Sequence, residues 1–196
     1  MIYKMEQEIS NERYLTYEQM NIIITFHKLW VKVGYWIRTY IRSTIFDTPD
    51  KKQVSNYLIS LPNEFYTIFS MFYGSDIAQN LIDILLNFIT SAMKVIEYKN
   101  YDESGLTSSS TIEWYQSADN LSSYLANINV YWDENQWKSL LYRYIKLKTD
   151  DISAIVNSNY EDDINLYNTI DNVIFLIGSY MARGIIASNL RNIPNQ

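Results

Sequence analysis

The chain has no cysteine in 196 residues. Disulfides, thiol nucleophiles and thiolate metal sites are thereby excluded. Histidine occurs once, as His27. A transition-metal site needs several good ligands converging, and a di-iron bundle needs a Glu-x-x-His pair on each of two helices. No glutamate stands three residues before His27, and there is no second histidine. His27 therefore reads as a structural residue on a helix surface or half-buried. A Ser-His-Asp triad would have to use it, and no serine lies in a nucleophile elbow.

Glycine and proline are also scarce, at 5 and 3 residues. The glycines at 34, 74, 105, 178 and 184 are scattered. None builds a phosphate-cradling loop, which argues against a kinase or a dinucleotide enzyme. So little turn material implies few hairpins and few long loops. Basic residues number 16 against 22 acidic ones, a net charge of −6. A nucleic-acid binder would carry a basic face. Lys28, Lys32, Arg38 and Arg42 make a local basic run, read here as a solvated helix face. The N-terminal stretch is charged throughout, without the apolar core of a signal peptide. No apolar run approaches the roughly 18 residues of a membrane span.

What is abundant is apolar and aromatic. Hydrophobic residues make up 47% and aromatic ones 15%, with 18 Tyr and 5 Trp. This is the composition of one ordered domain with a real core. The pattern is helical. Residues 160–190 form the longest periodic stretch, with Ile164, Tyr167, Ile170, Ile174, Ile177, Met181, Ile185 and Ser188 at three-four spacing on one face. Ser158 and Glu161 have the spacing of a capping box at its start. Glu161, Asp162 and Asp163 crowd the first turn, and Arg183 and Arg191 lie toward the far end, as the helix dipole favours. Val173 to Ile177 is apolar all round, which predicts a segment enclosed by neighbours. Gly178 and Gly184 lower helix propensity and predict close approach of another helix.

Upstream, Thr16 and Gln19 have capping-box spacing before a helix over 17–45. Its main stripe is Ile22, Phe26, Leu29, Val33, Trp36 and Tyr40. A second stripe is Ile23, Trp30, Ile37 and Ile41. Thr48 and Pro49 open a short helix to Ser60, with Asp50 as a capping acid. Pro62 opens another, ended by Gly74, with Ser75 as the next cap. Residues 77–98 form a second long helix lined by Leu81, Ile84, Leu85, Phe88, Ala92, Val95 and Ile96. Lys99 to Ser110 reads as a flexible loop. Ser110 and Glu113 suggest a further capping box, before a helix to Ile128 with Trp114, Ala118, Leu121 and Leu125 inward. Asp133 caps the next helix, whose core face is Trp137, Leu140, Leu141, Tyr144, Ile145 and Leu147. Thr149 marks a restart. The expectation is a polar lead-in over 1–15 and a single all-α, up-and-down bundle over 16–191, with four long helices and shorter covering ones.

Carboxylates are the remaining chemistry. The acids at 161–163 could take a hard cation but are read as dipole compensation. Asp119 and Asp171 show no catalytic partner. The five tryptophans, at helical spacing, read as packing residues.

Several segments carry a resemblance: LWVKVGYWIR at Leu29–Arg38, FYG at Phe72–Gly74, EWYQSAD at Glu113–Asp119, INVYW at Ile128–Trp132, LLYRYIKL at Leu140–Leu147, and DINLY with RGII in the last helix. Together they resemble a family of small helical-bundle proteins from Gram-positive bacteria. Members are sometimes labelled acetylglutamate kinase, an activity the scattered glycines argue against here. Against that family's pattern, Val33, Leu85 and Tyr144 stand where histidines are expected, and Ser117 where an asparagine is. Asp163, Trp36 and Arg38 are kept. The resemblance thus implies a degenerate polar site of Arg38, Ser117, Tyr144 and Asp163, its other positions filled in as core. On this reading Val33, Leu85, Ser117 and Tyr144 turn toward one interior region with Asp163 at its edge, and Ser117 or Asp163 partners the Tyr144 hydroxyl.

These readings combine into an expectation of a cytoplasmic bundle without catalytic activity, cofactor or metal. It would be an interaction or structural protein, partnered by a second copy of itself or by another protein, and not by nucleic acid or membrane. The alternative is a small-ligand or metal-binding bundle, or an enzyme derived from one, using the four polar residues.

Overall fold

The computed structural model describes residues 15–97 and 109–191. They form seven α-helices and no strand: α1 (Tyr17–Ile45), α2 (Lys51–Ser60), α3 (Asn63–Tyr73), α4 (Ser75–Glu97), α5 (Ser109–Ile128), α6 (Glu134–Val156) and α7 (Tyr160–Arg191). The fold is an all-α bundle, as the periodicity predicts. The lead-in over 1–14, most of the loop over 99–110 and the Arg191 side chain lie outside the described residues.

The five long helices close a ring. Helix α4 packs on α5, α5 on α6, α6 on α7, α7 on α1, and α1 back on α4, while α2 and α3 cover α1 and α4. Helices α1 and α7 run antiparallel, with Arg42 beside Asp163 at one end and His27 beside Gly178 further along. The interior is aromatic and branched aliphatic, with Trp30, Trp114, Trp137, Tyr40, Tyr144 and Phe26 among its largest fully buried side chains.

The Thr16 capping box is present in full: the Thr16 hydroxyl oxygen accepts from Gln19 N–H at 3.2 Å, and Gln19 Oε1 accepts from Thr16 N–H at 3.0 Å. Asp133 caps α6 by accepting from Gln136 N–H at 2.7 Å. Elsewhere the caps differ from expectation. Ser158 sits in the left-handed region at φ 59°, so it cannot cap, and Asn159 Oδ1 accepts from Asp162 N–H instead. Ser110 and Ser75 are inside their helices. Asp50 makes no side-chain cap; it accepts from the Thr48 hydroxyl across the turn before α2.

The predicted restart at Thr149 does not occur. Its hydroxyl donates to the Lys146 carbonyl, which lets a hydroxyl residue stay inside a helix. Helix α6 is therefore continuous, and the long helices number five. The middle of α7 is also more open than predicted, with Phe175 42% exposed and Leu176 49%, and Ile164, expected on the inward stripe, is 60% exposed near the helix start. By length and a mean hydropathy of 1.4 over an 18-residue window, α7 matches a membrane span, which scanning for unbroken apolar runs misses. Half of that window is buried in the bundle, as is usual for a central helix.

Two glycines of α7 serve close approach. Gly178 lies against the α1 backbone at Phe26 and His27. A Cβ on Gly184 would stand 1.9 Å from Trp132 Nε1, whose N–H donates to the Tyr180 carbonyl at 3.2 Å. In an open helix Gly→Ala gains about 1 kcal/mol, but here the rigid indole must move. Gly184→Ala is expected to lower stability by about 1–3 kcal/mol in urea denaturation; a gain would mean the indole relocates freely.

Candidate functional site

Three helices each bring polar side chains to one place at helical spacing. Helix α1 gives Arg38 and Arg42, α6 gives Tyr144, Lys148 and Asp151, and α7 gives Asp163 and Tyr167. On α6 these positions continue the apolar stripe of Trp137 and Leu141, which faces inward. Lys148 and Asp151 are consequently carried into the core, with no side-chain exposure.

Arg38 is the centre. Its guanidinium donates to Asp151 Oδ1 at 3.1 Å through NH1 and meets Asp163 Oδ1 at 2.7 Å through NH2. Lys148 Nζ donates to Asp151 Oδ2 at 3.2 Å, and Arg42 NH1 donates to Asp163 Oδ2 at 3.3 Å. Tyr167 covers the group, its ring centroid 4.3 Å from Arg38 Cζ and 5.7 Å from Lys148 Nζ. Two cations on one ring add roughly 0.5–2 kcal/mol each. The cluster holds three cations and two carboxylates.

Burial dominates the acid–base behaviour. It pushes the Lys148 ammonium down to about 8, against the attraction of Asp151. It raises Asp151, with the neighbouring Asp163 carboxyl adding to the rise and Lys148 and Arg38 opposing it. The Tyr144 hydroxyl is raised by burial first, then by the negative field of Asp151. Such burial selects against ionisation of an acid and against protonation of an amine.

Of the four residues the resemblance singled out, Arg38 and Asp163 pair directly and Tyr144 lies one turn from Lys148. Ser117 does not join them. Its hydroxyl donates to the Trp114 carbonyl at 2.7 Å on its own helix. It therefore supplies no partner to Tyr144, whose buried hydroxyl has no hydrogen bond among the described residues. The Tyr144 ring instead packs on Phe88 and Trp114, each with centroids 6.4 Å away. Val33 and Leu85 are core residues. Arg38 is not part of a solvated basic face: its side chain is 17% exposed. Of that run, Lys32 pairs with Glu64. Asp163 is a buried ion-pair acid and not merely a dipole-compensating one. His27 is half-buried, with Nε2 2.7 Å from the Ser179 hydroxyl and its ring edge-on to Phe175. Asp119 accepts from the Tyr142 hydroxyl and pairs with Lys138.

An open cleft of about 610 Å³ lies over the cluster, lined by Tyr35, Arg38, Arg42, Phe46, Asp50 and Tyr167 together with the hydroxyl residues Thr39, Ser43 and Thr48. A second cleft of about 620 Å³ sits at the opposite end of α1, lined mainly by apolar atoms of Ile22, Ile68, Met71, Phe72 and Ile186. Among the described residues, no three or more His, Asp or Glu side chains gather as a metal site. Comparison of the chain with family models, curated proteins and solved structures gives no match.

Lys148 sets a pH dependence. Below pH 8 both folded and unfolded chains carry its proton. Between about 8 and the ordinary 10.5 the unfolded chain holds more protons, so stability rises with pH. Ionisation of the unfolded-state Tyr144 opposes this only from about pH 10. Wild-type stability, relative to Lys148→Met, is expected to increase from about pH 7.5 to about pH 9.5 in urea denaturation. Parallel pH profiles for the two proteins would remove Lys148 from the account.

Proposed function

We propose that the chain is a non-catalytic, cytoplasmic helical-bundle protein that works by association, with a second copy of itself as its partner. The observation carrying this is an apolar seam along the α1–α7 edge. On α1, Met20, Ile24, His27, Val31 and Tyr35 recur at three-four spacing and hold no charge. Met20, Ile24 and Tyr35 are exposed. Across the helix pair, Phe175 stands against His27 and is itself open to solvent, with Leu176 beside it. Exposed apolar residues contiguous along two packed helices mark an interaction surface more often than scattered single ones do. An uncharged seam is compatible with its own copy about a two-fold axis, where like charges would otherwise face each other.

The ion cluster supports the non-catalytic part of the reading. Lys148 and Asp151 pair with each other and are closed off from any reactant. The kinship with the Gram-positive bundle family belongs to the same proposal, Val33 and Leu85 being positions where core packing replaced ligand donors.

Sedimentation velocity on the purified chain is expected to show a dimer. Ile24→Glu with Phe175→Glu is expected to give a folded monomer, because both side chains are exposed and lie outside the buried core. A monomer over the whole loading range, or a dimer unaffected by both changes, would overturn the reading.

A further inference from the structure

The cleft over the ion cluster has a feature that association does not use. Its floor is Arg38, held from beneath by Asp151 and Asp163. Its wall is Arg42, which is 44% exposed and makes one long contact of 3.3 Å with Asp163. A guanidinium carries five N–H donors in a planar fork, so most of the Arg42 fork lines open space. The fork is also pre-positioned, because its Cζ lies 5.2 Å over the Phe46 ring. Aromatic surface surrounds it, from Tyr35 and Phe46 to Tyr167.

Charge narrows the class of ligand. The cluster has one more cation than carboxylates, and among the described residues Asp50 at the cleft edge forms no ion pair with it, so a single added negative charge is favoured on the Arg42 side. Asp50 also lines the cleft and accepts from Thr48. That acid, with Asp163 behind Arg42, opposes a second negative charge. We infer that this cleft binds a small aromatic monocarboxylate, its carboxylate on the Arg42 fork with Arg38 adding field from the floor, and its ring between Tyr35, Phe46 and Tyr167. Bidentate guanidinium–carboxylate pairing supplies the orientation, and ring stacking on the aromatic wall supplies area.

The probe is benzoate, titrated into the full chain by isothermal calorimetry and by tryptophan fluorescence. Trp36 reports, because its ring lies 5.5 Å from Tyr35. Benzoate is expected to bind with a dissociation constant of about 1 mM or lower. Arg42→Gln is expected to weaken it roughly tenfold or more. That variant should fold, because Asp163 keeps its 2.7 Å contact with Arg38. Arg183→Gln, an exposed change elsewhere on α7, is expected to leave binding unchanged. Benzylamine and inorganic phosphate complete the panel and are expected to bind far more weakly. No benzoate binding at about 10 mM, undiminished binding by Arg42→Gln, or equal binding of benzylamine or phosphate would each overturn the inference.

Discussion

Arg38 holds two carboxylates from two other helices in a region where water cannot compensate them. Asp151 comes from α6 and Asp163 from α7, and Arg38 is the guanidinium that bridges the two. A buried ion pair contributes little net stability compared with a well-packed apolar replacement, because desolvation offsets the Coulomb gain. Removing a single partner is different and costs about 3–5 kcal/mol, since it strands a charge. The arrangement therefore acts mainly on specificity. A ring of aliphatic helices can slide by a turn at modest cost, whereas a one-turn slip of α6 or α7 would separate Arg38 from its acids. We assign the cluster the role of fixing the register of α1, α6 and α7, as polar core positions do in other helical assemblies.

Helix α7 shows why the edge it forms with α1 leaves apolar side chains open to solvent. It is buried on the side that meets α1 and α6 and open along Phe175 and Leu176. The apolar seam runs up this edge and ends at Tyr35, which also lines the cleft over the ion cluster. A partner on the seam and a ligand in the cleft would thus meet at one side chain. Coupling between them would pass through Tyr35 and its neighbour Trp36 and would need no wider rearrangement.

Much of this was legible in the sequence. Spacing and turn residues located the described helices, with α6 wrongly divided at Thr149. Gly178 announced its close approach to α1, while Gly184 meets the Trp132 indole between α5 and α6 rather than a helix. The resemblance singled out Arg38, Asp163 and Tyr144 together with Ser117. What escaped was Lys148 with Asp151. The signal existed: both extend the stripe of Trp137, Leu141 and Tyr144. It was hidden by taking Thr149 as a helix break, although a threonine whose hydroxyl bonds back to Lys146 lets the helix continue. A lysine and an aspartate on a stripe also look like its end. Only the facing Arg38 and the Tyr167 ring make their burial tolerable, and those contacts are about 110 residues apart or on another helix. The open face of α7 was missed for a related reason, since an all-round apolar segment looks the same whether other helices enclose it or a partner covers it.

A register role for the cluster requires that Arg38 and Asp151 act as one unit. A double-mutant cycle with Arg38→Met, Asp151→Leu and the double variant, measured by urea denaturation, isolates their coupling. The structure predicts that each single change is strongly destabilising and that the double variant loses less than the sum of the two, with a coupling energy of about 2 kcal/mol or more, although there Lys148 has lost Asp151 and Asp163 has lost Arg38. Additive losses, with a coupling near zero, would contradict it and reduce the cluster to charges that merely lie close together.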